Sequence, residues 1–227
     1  DIPSPGELNK KSDTELEDLY HAFMNQVQVK CNRIVRVGSL GDGGWNICLD
    51  DGYYPTKPCL VYSFGIGGDS SFGVQMHKTF GCEVHSFDPF VKGPHRELSH
   101  YHAIGLGDKT GTYKGRKFMT LLDIRRHLNH MNKDICILKM DIEGSEWSSL
   151  KKAMSDGELD HVKQIPLEFH SPAKGAKFFR NALNTIKKLM DLNFRVYLVD
   201  RNNACRYKND RNIQLTKCYN IYFIKVS

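Results

Sequence analysis

The sequence predicts a doubly wound α/β fold built on a single sheet of seven mostly parallel strands. From residue 60 onwards, short apolar runs alternate with segments of helical periodicity. Such alternation indicates right-handed βαβ units and a largely parallel sheet. The last two apolar runs are joined by a polar stretch without strong helical periodicity, so we expect them to form a C-terminal antiparallel hairpin. A composition of 40% hydrophobic and 26% charged residues is typical of a globular protein.

The elements follow from the apolar pattern in chain order. Apolar residues at helical spacing predict an amphipathic helix over residues 13–29, followed by an extended run at 34–38 and a glycine-rich turn at 41–45. The seven strands are predicted at residues 60–64, 83–87, 101–104, 135–140, 164–169, 194–199 and 219–226. We expect one domain over residues 1–227, with residues 1–33 as a helical extension and residues 34–227 as the core.

Charge and hydropathy exclude several classes of protein. The 32 Lys and Arg residues exceed the 26 Asp and Glu residues by six, but they are scattered in pairs, so nucleic-acid binding is not expected. No run approaches the ~20 apolar residues of a membrane span. The chain begins at Asp1 and looks trimmed, so we expect membrane attachment only through an N-terminal anchor that has been removed. The oligomeric state stays open.

The seven cysteines are an odd number for a fully paired secreted protein. Cys82 and Cys136 lie in strand-like runs, which favours buried apolar side chains. Spacing makes Cys48 with Cys59, and Cys205 with Cys218, candidates for disulfides across a loop or hairpin. No cysteine and histidine cluster has zinc spacing, so a structural zinc site is not expected.

A glycine-rich turn and a carboxylate predict a nucleotide-like ligand. Gly65 and Gly67 follow a strand and allow close approach of a cofactor to the backbone. Asp88 ends the next strand about twenty residues later, the interval at which a ribose is bound. The alternative for Asp88 is a turn residue before Pro89. Dinucleotides and S-adenosylmethionine share this geometry, but Ser70 stands where the dinucleotide fingerprint has its third glycine, which disfavours NAD.

A second group of polar residues lies at the ends of the fourth and fifth strands. Asp141 ends the fourth strand, and Glu168 and His170 end the fifth. Neighbouring parallel strands deliver such residues to one crevice, and Glu168 and His170 share a strand parity. Glu143 and Glu146 open the following helix, where carboxylates are stabilised by its positive end, and for Glu146 we prefer that interpretation alone.

The sequence leaves two alternatives open for the location of a few residues. Trp45 is either a core aromatic or a mobile lid over the cofactor. Arg36 and Asp42 either line the crevice or pair on the surface. His95 and His100 are interpreted as surface histidines.

Most of the chain resembles the FkbM-like and methyltransferase-like O-methyltransferases. The resemblance lies in Gly41-Asp42-Gly43-Gly44-Trp45, Phe64-Gly65-Ile66-Gly67-Gly68-Asp69-Ser70-Ser71-Phe72, Phe87-Asp88-Pro89, His102-Ala103-Ile104-Gly105-Leu106, Lys139-Met140-Asp141-Ile142-Glu143-Gly144-Ser145-Glu146-Trp147 and Glu168-Phe169-His170. It implies a class I methyltransferase fold and a secretory-pathway location such as the Golgi lumen, with the cytoplasm as the alternative. It also implies the residues that bind S-adenosylmethionine, including its adenine: Gly65, Gly67, Asp69, Asp88, Pro89, Phe90, Ala103 and Ile104.

The expected reaction is transfer of a methyl group to a hydroxyl of a sugar, a glycan or another small acceptor. In-line transfer requires alignment and an activated hydroxyl, hence a base, a metal ion or both. We predict a divalent metal, manganese or magnesium, on Asp141, Glu168 and His170. Carboxylate oxygen and imidazole together suit manganese, iron or zinc better than calcium, whereas magnesium prefers oxygen ligands. The alternative is a metal-free pair with His170 as general base. A catalytically silent binding module and, less favoured, an NAD-dependent oxidoreductase are the competing functions.

Overall fold

The computed structural model describes residues 2–91, 98 and 100–226, so His95 lies outside the described residues. The helices are α1 (Pro5–Leu8), α2 (Asp13–Phe23), α3 (Ser71–Phe80), α4 (Leu121–His127), α5 (Glu146–Ser155) and α6 (Ala176–Asp191), with short 3-10 turns at Glu158–His161 and Asn203–Cys205. The strands are β1 (Ile34–Val37), β2 (Trp45–Cys48), β3 (Leu60–Phe64), β4 (Glu83–Phe87), β5 (His100–His102), β6 (Ile104–Leu106), β7 (Gly111–Tyr113), β8 (Arg116–Met119), β9 (Ile135–Met140), β10 (Val162–His170), β11 (Phe194–Arg201), β12 (Arg206–Lys208), β13 (Gln214–Thr216) and β14 (Cys218–Lys225). Within this part of the chain, no helix combines the length and the apolar character needed to cross a bilayer.

A seven-stranded sheet forms the centre of the molecule, in the order β11-β14-β10-β9-β3-β4-β5. Its strand pairs are parallel except at β14, which runs antiparallel to both β10 and β11. The mostly parallel α/β sheet is therefore confirmed. The last two strands pair antiparallel as predicted, but β14 inserts between β10 and β11, and the small β12-β13 ladder interrupts the connection between them.

Each face of the sheet carries its own hydrophobic core. Leu138 and Met140 on β9 pack into one core together with residues of α2, α5 and α6. Ile137, on the opposite side of the same strand, packs into the other core with residues of α3, β1 and β2. All six residues of β9 are buried, as expected for a parallel strand that is covered on both faces.

The first long helix is shorter than the apolar periodicity predicts. It begins with a capping box between Ser12 and Glu15 and ends at Phe23, whereas the sequence predicted a helix through residue 29. The backbone N–H groups of Gln28 and Val29 instead donate to the carbonyl of Val196 on β11, so this non-helical segment is attached to the edge strand of the sheet. Val27, which the helical pattern placed on the buried face, is 54% exposed.

The predicted strand at residues 101–104 is divided between two sheets. β5 ends at His102, whose carbonyl accepts from the N–H of Asp88, and β6 begins at Ile104 in a separate sheet of order β6-β8-β7. Gly105 allows this second packing, since a Cβ there would lie 2.3 Å from the Phe118 ring. A short apolar run cannot reveal such a change of sheet.

The described part of the chain contains three disulfides, whose cysteines lie in strands or close to them. They join Cys31 to Cys48, Cys59 to Cys82 and Cys205 to Cys218, with Cα–Cα distances of 6.0, 4.7 and 5.6 Å. The predicted Cys205–Cys218 pair is confirmed, whereas the Cys48–Cys59 pair and the free buried Cys82 were wrong. Cys59 and Cys82 directly precede the neighbouring parallel strands β3 and β4, which brings them together. Cys136 is free and buried, as predicted.

Candidate active site

Two spaces open at the carboxyl end of the central strands. The first, here named the large cavity, has a volume of about 900 Å³ and is lined mainly by residues 65–70, 88–91 and 105–113. The second, here named the acidic cleft, has a volume of about 420 Å³ and is lined by Glu168, His170, Asn202 and the Cys205–Cys218 disulfide. Asp42, Asp141 and Glu143 line both spaces, so the two spaces share a wall.

The glycine turn after β3 lies against the end of β9. Gly65 has a φ of +72°, and a Cβ at this position would lie 1.6 Å from the carbonyl oxygen of Asp141. Only glycine fits this backbone conformation without such a clash. Gly67 also has a positive φ, of +53°, but has open space around its missing Cβ. Gly65 therefore sets the close packing of two strand ends, whereas Gly67 leaves a gap beside the large cavity.

Asp88 fixes the loop beside the glycine turn through its carboxylate. One carboxylate oxygen accepts from the N–H of Gly67 at 3.0 Å. The other accepts from the N–H groups of Phe90 and Val91 at 2.8 and 3.1 Å. The residue is 5% exposed and lines the large cavity. Asp88 is thus both a turn residue and a cavity residue, the two interpretations that the sequence set against each other.

A buried lysine lies below the glycine turn. Lys139 on β9 donates to the carbonyl of Phe64 at 3.1 Å and also to that of Gly65, and its Nζ lies 4.9 Å from the centre of the Trp45 ring. Burial lowers the pKa of this lysine. Trp45 is 3% exposed within the second core, so it is a core aromatic that also lines the large cavity. Sequence reasoning missed Lys139, although a lysine inside a fully apolar strand was a visible signal.

Asp69 connects the glycine turn to the segment before β2. Its carboxylate accepts from the N–H of Ser71 at 2.8 Å at the start of α3, and hydrogen bonds from Ser71 lower its pKa. A Cβ on Gly43 would lie 2.1 Å from this carboxylate, so the 41–45 turn packs directly on Asp69. Asp42 consequently lies at the shared wall, whereas Arg36 is exposed and donates to the carbonyl of Ser39 at 3.0 Å.

The structure brings six of the eight residues predicted to bind the cofactor to the large cavity. Those that line the large cavity are Gly65, Gly67, Asp69, Asp88, Pro89 and Phe90. Ala103 and Ile104 do not line it, because the chain turns away from the central sheet at this point. Their place is taken by Gly105, whose missing Cβ would lie 3.0 Å from the Pro89 ring, and by the residues that follow it.

The predicted metal ligands come together in the acidic cleft. β10 continues to His170, so Glu168 and His170 project from the same side, and the His170 Nε2 lies 3.6 Å from a Glu168 carboxylate oxygen. Asp141 lines the same cleft, and its Oδ1 is buried without a hydrogen-bond partner in the described structure. Asn202 donates to the other Glu168 oxygen at 2.9 Å.

Glu146 is a site residue whose importance the sequence analysis missed. Its side chain is fully buried, and one oxygen accepts from the N–H of Ile142 at 2.9 Å and lies 3.0 Å from the His170 Nδ1. It begins α5 as predicted, but it also orients the imidazole. The carbonyl of His170 accepts from Trp147 Nε1 at 2.7 Å, and the Trp147 ring stacks on Phe169, which fixes the helix against β10.

Burial and charge shift the pKa values in the cleft. Burial alone would lower the pKa of His170, but the hydrogen bond and charge of Glu146, together with the charges of Glu168 and Glu143, raise it to about 9. Burial raises the pKa of the Asp141 carboxyl. It also raises the pKa of Glu168 despite the opposing hydrogen bond from Asn202. The cleft thus concentrates carboxylates that would be stabilised by a cation.

One group of side chains near the cleft that could hold a metal differs by one residue from the predicted triad. Ligand atoms of Asp141, Glu146 and His170 lie within 4.8 Å of one another. Glu146 does not line the acidic cleft, and the oxygen that faces His170 already accepts from Ile142. Glu168, by contrast, lines the cleft and faces the other imidazole nitrogen. The geometry therefore indicates that Glu146 positions the His170 imidazole, and that Asp141, Glu168 and His170 remain the candidate ligands.

Comparisons with known proteins agree with this architecture. A family model described as "Methyltransferase domain" matches residues 7–225. The chain is 30% identical over 176 residues to the probable methyltransferase-like protein 24 of Rattus norvegicus, which covers 68% of this chain and 48% of the rat protein. The Homo sapiens protein of the same name is 30% identical over 168 residues, covering 65% of this chain and 45% of its own length.

The chain spans about half the length of the curated relatives it matches. The resemblance to the FkbM-like enzymes stays a prediction, because the family model that matches carries the broader description. That model covers nearly the whole chain, including both spaces at the carboxyl end of the sheet. The chain therefore belongs to the methyltransferase-domain family, in which S-adenosylmethionine is the usual methyl donor.

Proposed function

We propose that this chain is a class I, S-adenosylmethionine-dependent O-methyltransferase that acts on a hydroxyl of a sugar, a glycan or another small acceptor. The wall shared by the large cavity and the acidic cleft carries the proposal. Methyl transfer by in-line displacement requires a donor and an acceptor that face each other. A donor in the large cavity and an acceptor in the acidic cleft would meet at Asp42, Asp141 and Glu143.

The lining of the large cavity supports its assignment to the methyl donor. The glycine turn allows close approach to the backbone, and the buried Asp88 carboxylate is available to a ribose hydroxyl. A carboxylate has about four acceptor positions, and backbone N–H groups occupy three of them at Asp88. Asp88 therefore has room for one ribose hydroxyl. Pro89, Phe90 and the segment after Gly105 would flank the adenine.

The acidic cleft fits a divalent cation held by Asp141, Glu168 and His170. Asp141 contributes a buried oxygen without a partner, and the His170 Nε2 and the Glu168 carboxylate lie 3.6 Å apart. Glu146 holds the opposite imidazole nitrogen, the outer hydrogen bond that metal-binding histidines usually make. Two carboxylates and an imidazole suit manganese. Such a cation would lower the pKa of an acceptor hydroxyl and make it a better nucleophile at neutral pH.

His170 is poorly suited to be the general base of a metal-free site. With a pKa raised to about 9, its imidazole is protonated at neutral pH and cannot accept a proton from the acceptor. Asp141 has a free buried oxygen and is the better base in that case. The raised pKa of its carboxyl, caused by burial, brings it closer to the pH at which a base works well.

Chelation tests the role of the cation. We would dialyse the protein against EDTA, measure transfer of labelled methyl groups from S-adenosylmethionine to a panel of sugars and glycans, and add back manganese or magnesium. Activity should be lost on dialysis and restored by manganese. Glu168→Gln should behave like the dialysed protein, and Asp210→Asn, which changes an exposed carboxylate, should behave like the wild type. Full activity after dialysis would eliminate the cation and leave the O-methyltransferase assignment intact.

The chemistry of the product tests the assignment itself. A methyl ether on a hydroxyl survives mild alkali, whereas a methyl ester is hydrolysed, so an alkali-stable label is expected. S-adenosylhomocysteine binding in calorimetry, without transfer to any acceptor of the panel, would instead favour a catalytically silent binding module.

We also infer that the chain functions in the secretory pathway, in the Golgi lumen or after secretion. The three disulfides support this proposal because such bonds persist in oxidising compartments. Immunofluorescence of the full-length protein against Golgi and cytosolic markers tests it, and a cytosolic distribution would contradict it.

A further inference from the structure

A cluster of histidines lies near the outer edge of the sheet, away from both spaces of the candidate active site. Glu83 begins β4, His85 follows on the same strand, and His130 lies in the turn after α4. His85 and His130 are each 5% exposed. None of these three residues lines the large cavity or the acidic cleft. Neither the glycine turn nor the cleft therefore explains why two buried imidazoles meet a partly exposed carboxylate here.

The three side chains aim their polar atoms at one point. One Glu83 carboxylate oxygen lies 3.1 Å from the His85 Nε2 and 3.2 Å from the His130 Nε2. The two imidazole rings are nearly perpendicular, at 83°, with centres 4.9 Å apart. In a tetrahedral zinc site with bonds of about 2.0 Å, neighbouring ligand atoms are about 3.3 Å apart. The two measured spacings match two edges of such a tetrahedron, and the ligand atoms of all three residues lie within 4.8 Å of one another.

Hydrogen bonds to the far side of each of the three residues hold it in place and leave the atoms that face one another available to a metal. The His85 Nδ1 lies 2.9 Å from the His102 Nε2, and the His130 Nδ1 lies 2.8 Å from the Tyr62 hydroxyl. Lys133 donates to the second Glu83 oxygen at 2.7 Å. Metal-binding histidines usually use their other ring nitrogen in a hydrogen bond of this kind, which fixes the ring and its tautomer. Both histidines and the carboxylate are thus oriented from outside the cluster.

We propose that Glu83, His85 and His130 bind one zinc ion, with water in the fourth position. Two imidazoles and one carboxylate are an established ligand set for zinc. The His100 ring stacks on His85 with its plane nearly parallel, at 8°, so His100 covers the site and does not join the ligands. The sequence gives no signal for this site, because His130 is distant in the chain from the other two ligands and the fold brings them together. The close cysteine spacing of common zinc sites is absent.

The zinc ion would connect three parts of the fold that are distant in sequence. β4 contributes Glu83 and His85, the segment before β9 contributes His130, and Tyr62 on β3 holds His130 from behind. The positive charge of Lys133 beside Glu83, and the nearby Arg125 that is paired with Glu158, oppose a cation and make the site weaker than one with thiolate ligands. The bound ion would stabilise the edge of the sheet, and this role does not depend on the proposed methyl transfer.

The competing account is a metal-free network, in which both histidines donate their Nε2 hydrogens to Glu83. Metal counting separates the two accounts. The protein is stripped with EDTA, desalted, and titrated with zinc chloride under calorimetry. To keep the acidic cleft from contributing, every protein carries His170→Ala. In this background we expect one bound zinc ion, and an unfolding temperature raised by at least about 3 °C when zinc is in large excess over its dissociation constant.

Matched variants assign the ion to the cluster. His130→Gln and Glu83→Gln, each in the same background, should lose the bound zinc and the thermal shift. His127→Gln changes an exposed histidine of the same helix region and should retain both. Zinc binding by His130→Gln and Glu83→Gln that equals that of the background protein would overturn the proposal.

A crystallographic measurement covers the case in which a variant fails to fold. Crystals of the unmutated protein grown with zinc chloride should show an anomalous peak at the zinc edge between Glu83, His85 and His130. A well-ordered cluster without that peak would support the metal-free network and reject the site.

Discussion

Glu143 and Glu146 are three positions apart in the sequence and have opposite surroundings. The Glu143 side chain is 88% exposed, whereas that of Glu146 is fully buried against His170. The local pattern explains both as acidic residues at the start of a helix. What separates them is the packing of α5 on β10 through Trp147 and Phe169, a contact between elements that the order of residues does not reveal. The residue types of the site could be predicted, but not which carboxylate supports the histidine.

Glu146→Gln should lower the pKa of His170 from about 9 towards its ordinary value near 6.5. The folded protein binds the His170 proton more tightly than the unfolded chain does, so this stabilisation is complete below about pH 6.5 and is lost as the pH rises through about 9. NMR titration of His170 in EDTA-treated protein measures the pKa directly. The free energy of unfolding should fall less steeply in the variant than in the wild type between these pH values. Equal slopes and an unchanged pKa would show that Glu146 does not set the charge of His170.

Asp88→Ala should weaken the binding of S-adenosylhomocysteine at least ~10-fold, or ~1.4 kcal/mol. The variant removes the acceptor for a ribose hydroxyl and also frees the three backbone N–H groups that the carboxylate holds. Calorimetry measures the affinity, and circular dichroism checks the fold. Asp51→Ala, which removes an exposed carboxylate, controls for the change in charge. An affinity equal to that of the wild type, with the fold intact, would remove Asp88 from the binding site.

At the scale of elements, the central strands that carry the site were the easiest to predict. The segments at the edge of the sheet were the hardest. The start and end of β3, β4 and β9 agree with the apolar runs in the sequence, since strands buried on both faces are continuously hydrophobic. The change of sheet after His102 and the non-helical segment at residues 28–29 were missed. Both depend on hydrogen bonds to distant backbone groups, namely those of Asp88 and Val196.

Two glycines of the same turn should respond differently to alanine. Gly65→Ala places a Cβ against the Asp141 carbonyl, and the clash together with the positive φ should lower the free energy of unfolding by about 3 kcal/mol or more. Gly67→Ala meets no atom within 4 Å and should cost only the backbone strain, about 1–2 kcal/mol. Urea denaturation of both variants gives the comparison. A Gly67 variant as unstable as the Gly65 variant would contradict the packing of the glycine turn on β9.

At the scale of the whole molecule, pairing of the cysteines connects regions that the sequence does not show to be neighbours. Sequence spacing found the Cys205–Cys218 pair because it closes a loop of 13 residues, but it paired Cys48 with the wrong partner. Cys59 and Cys82 meet because β3 and β4 are adjacent in the sheet. The order of strands in a sheet therefore has to be known before such pairs can be assigned.

Mass spectrometry of non-reduced peptides should find Cys31–Cys48, Cys59–Cys82 and Cys205–Cys218 together with unpaired Cys136. These pairs have Cα atoms within the ~7 Å that a disulfide can span. The digest is performed at acidic pH after alkylation, so that the pairs do not rearrange. A peptide that links Cys48 to Cys59 would contradict the described arrangement of β2 and β3.

The location of Cys136 has a consequence for the lifetime of these pairs. Exchange of a disulfide begins with attack by a thiolate that can reach one of its sulfurs. Cys136 is buried on β9 between two neighbouring strands, and burial raises the pKa of its thiol, so both the reactive form and access to it are suppressed. The odd thiol can scramble the pairing while the chain is unfolded, and closure of the sheet then removes the nucleophile. In the folded protein the sheet buries the Cys136 thiol, so this thiol cannot attack the three disulfides and their native pairing is preserved.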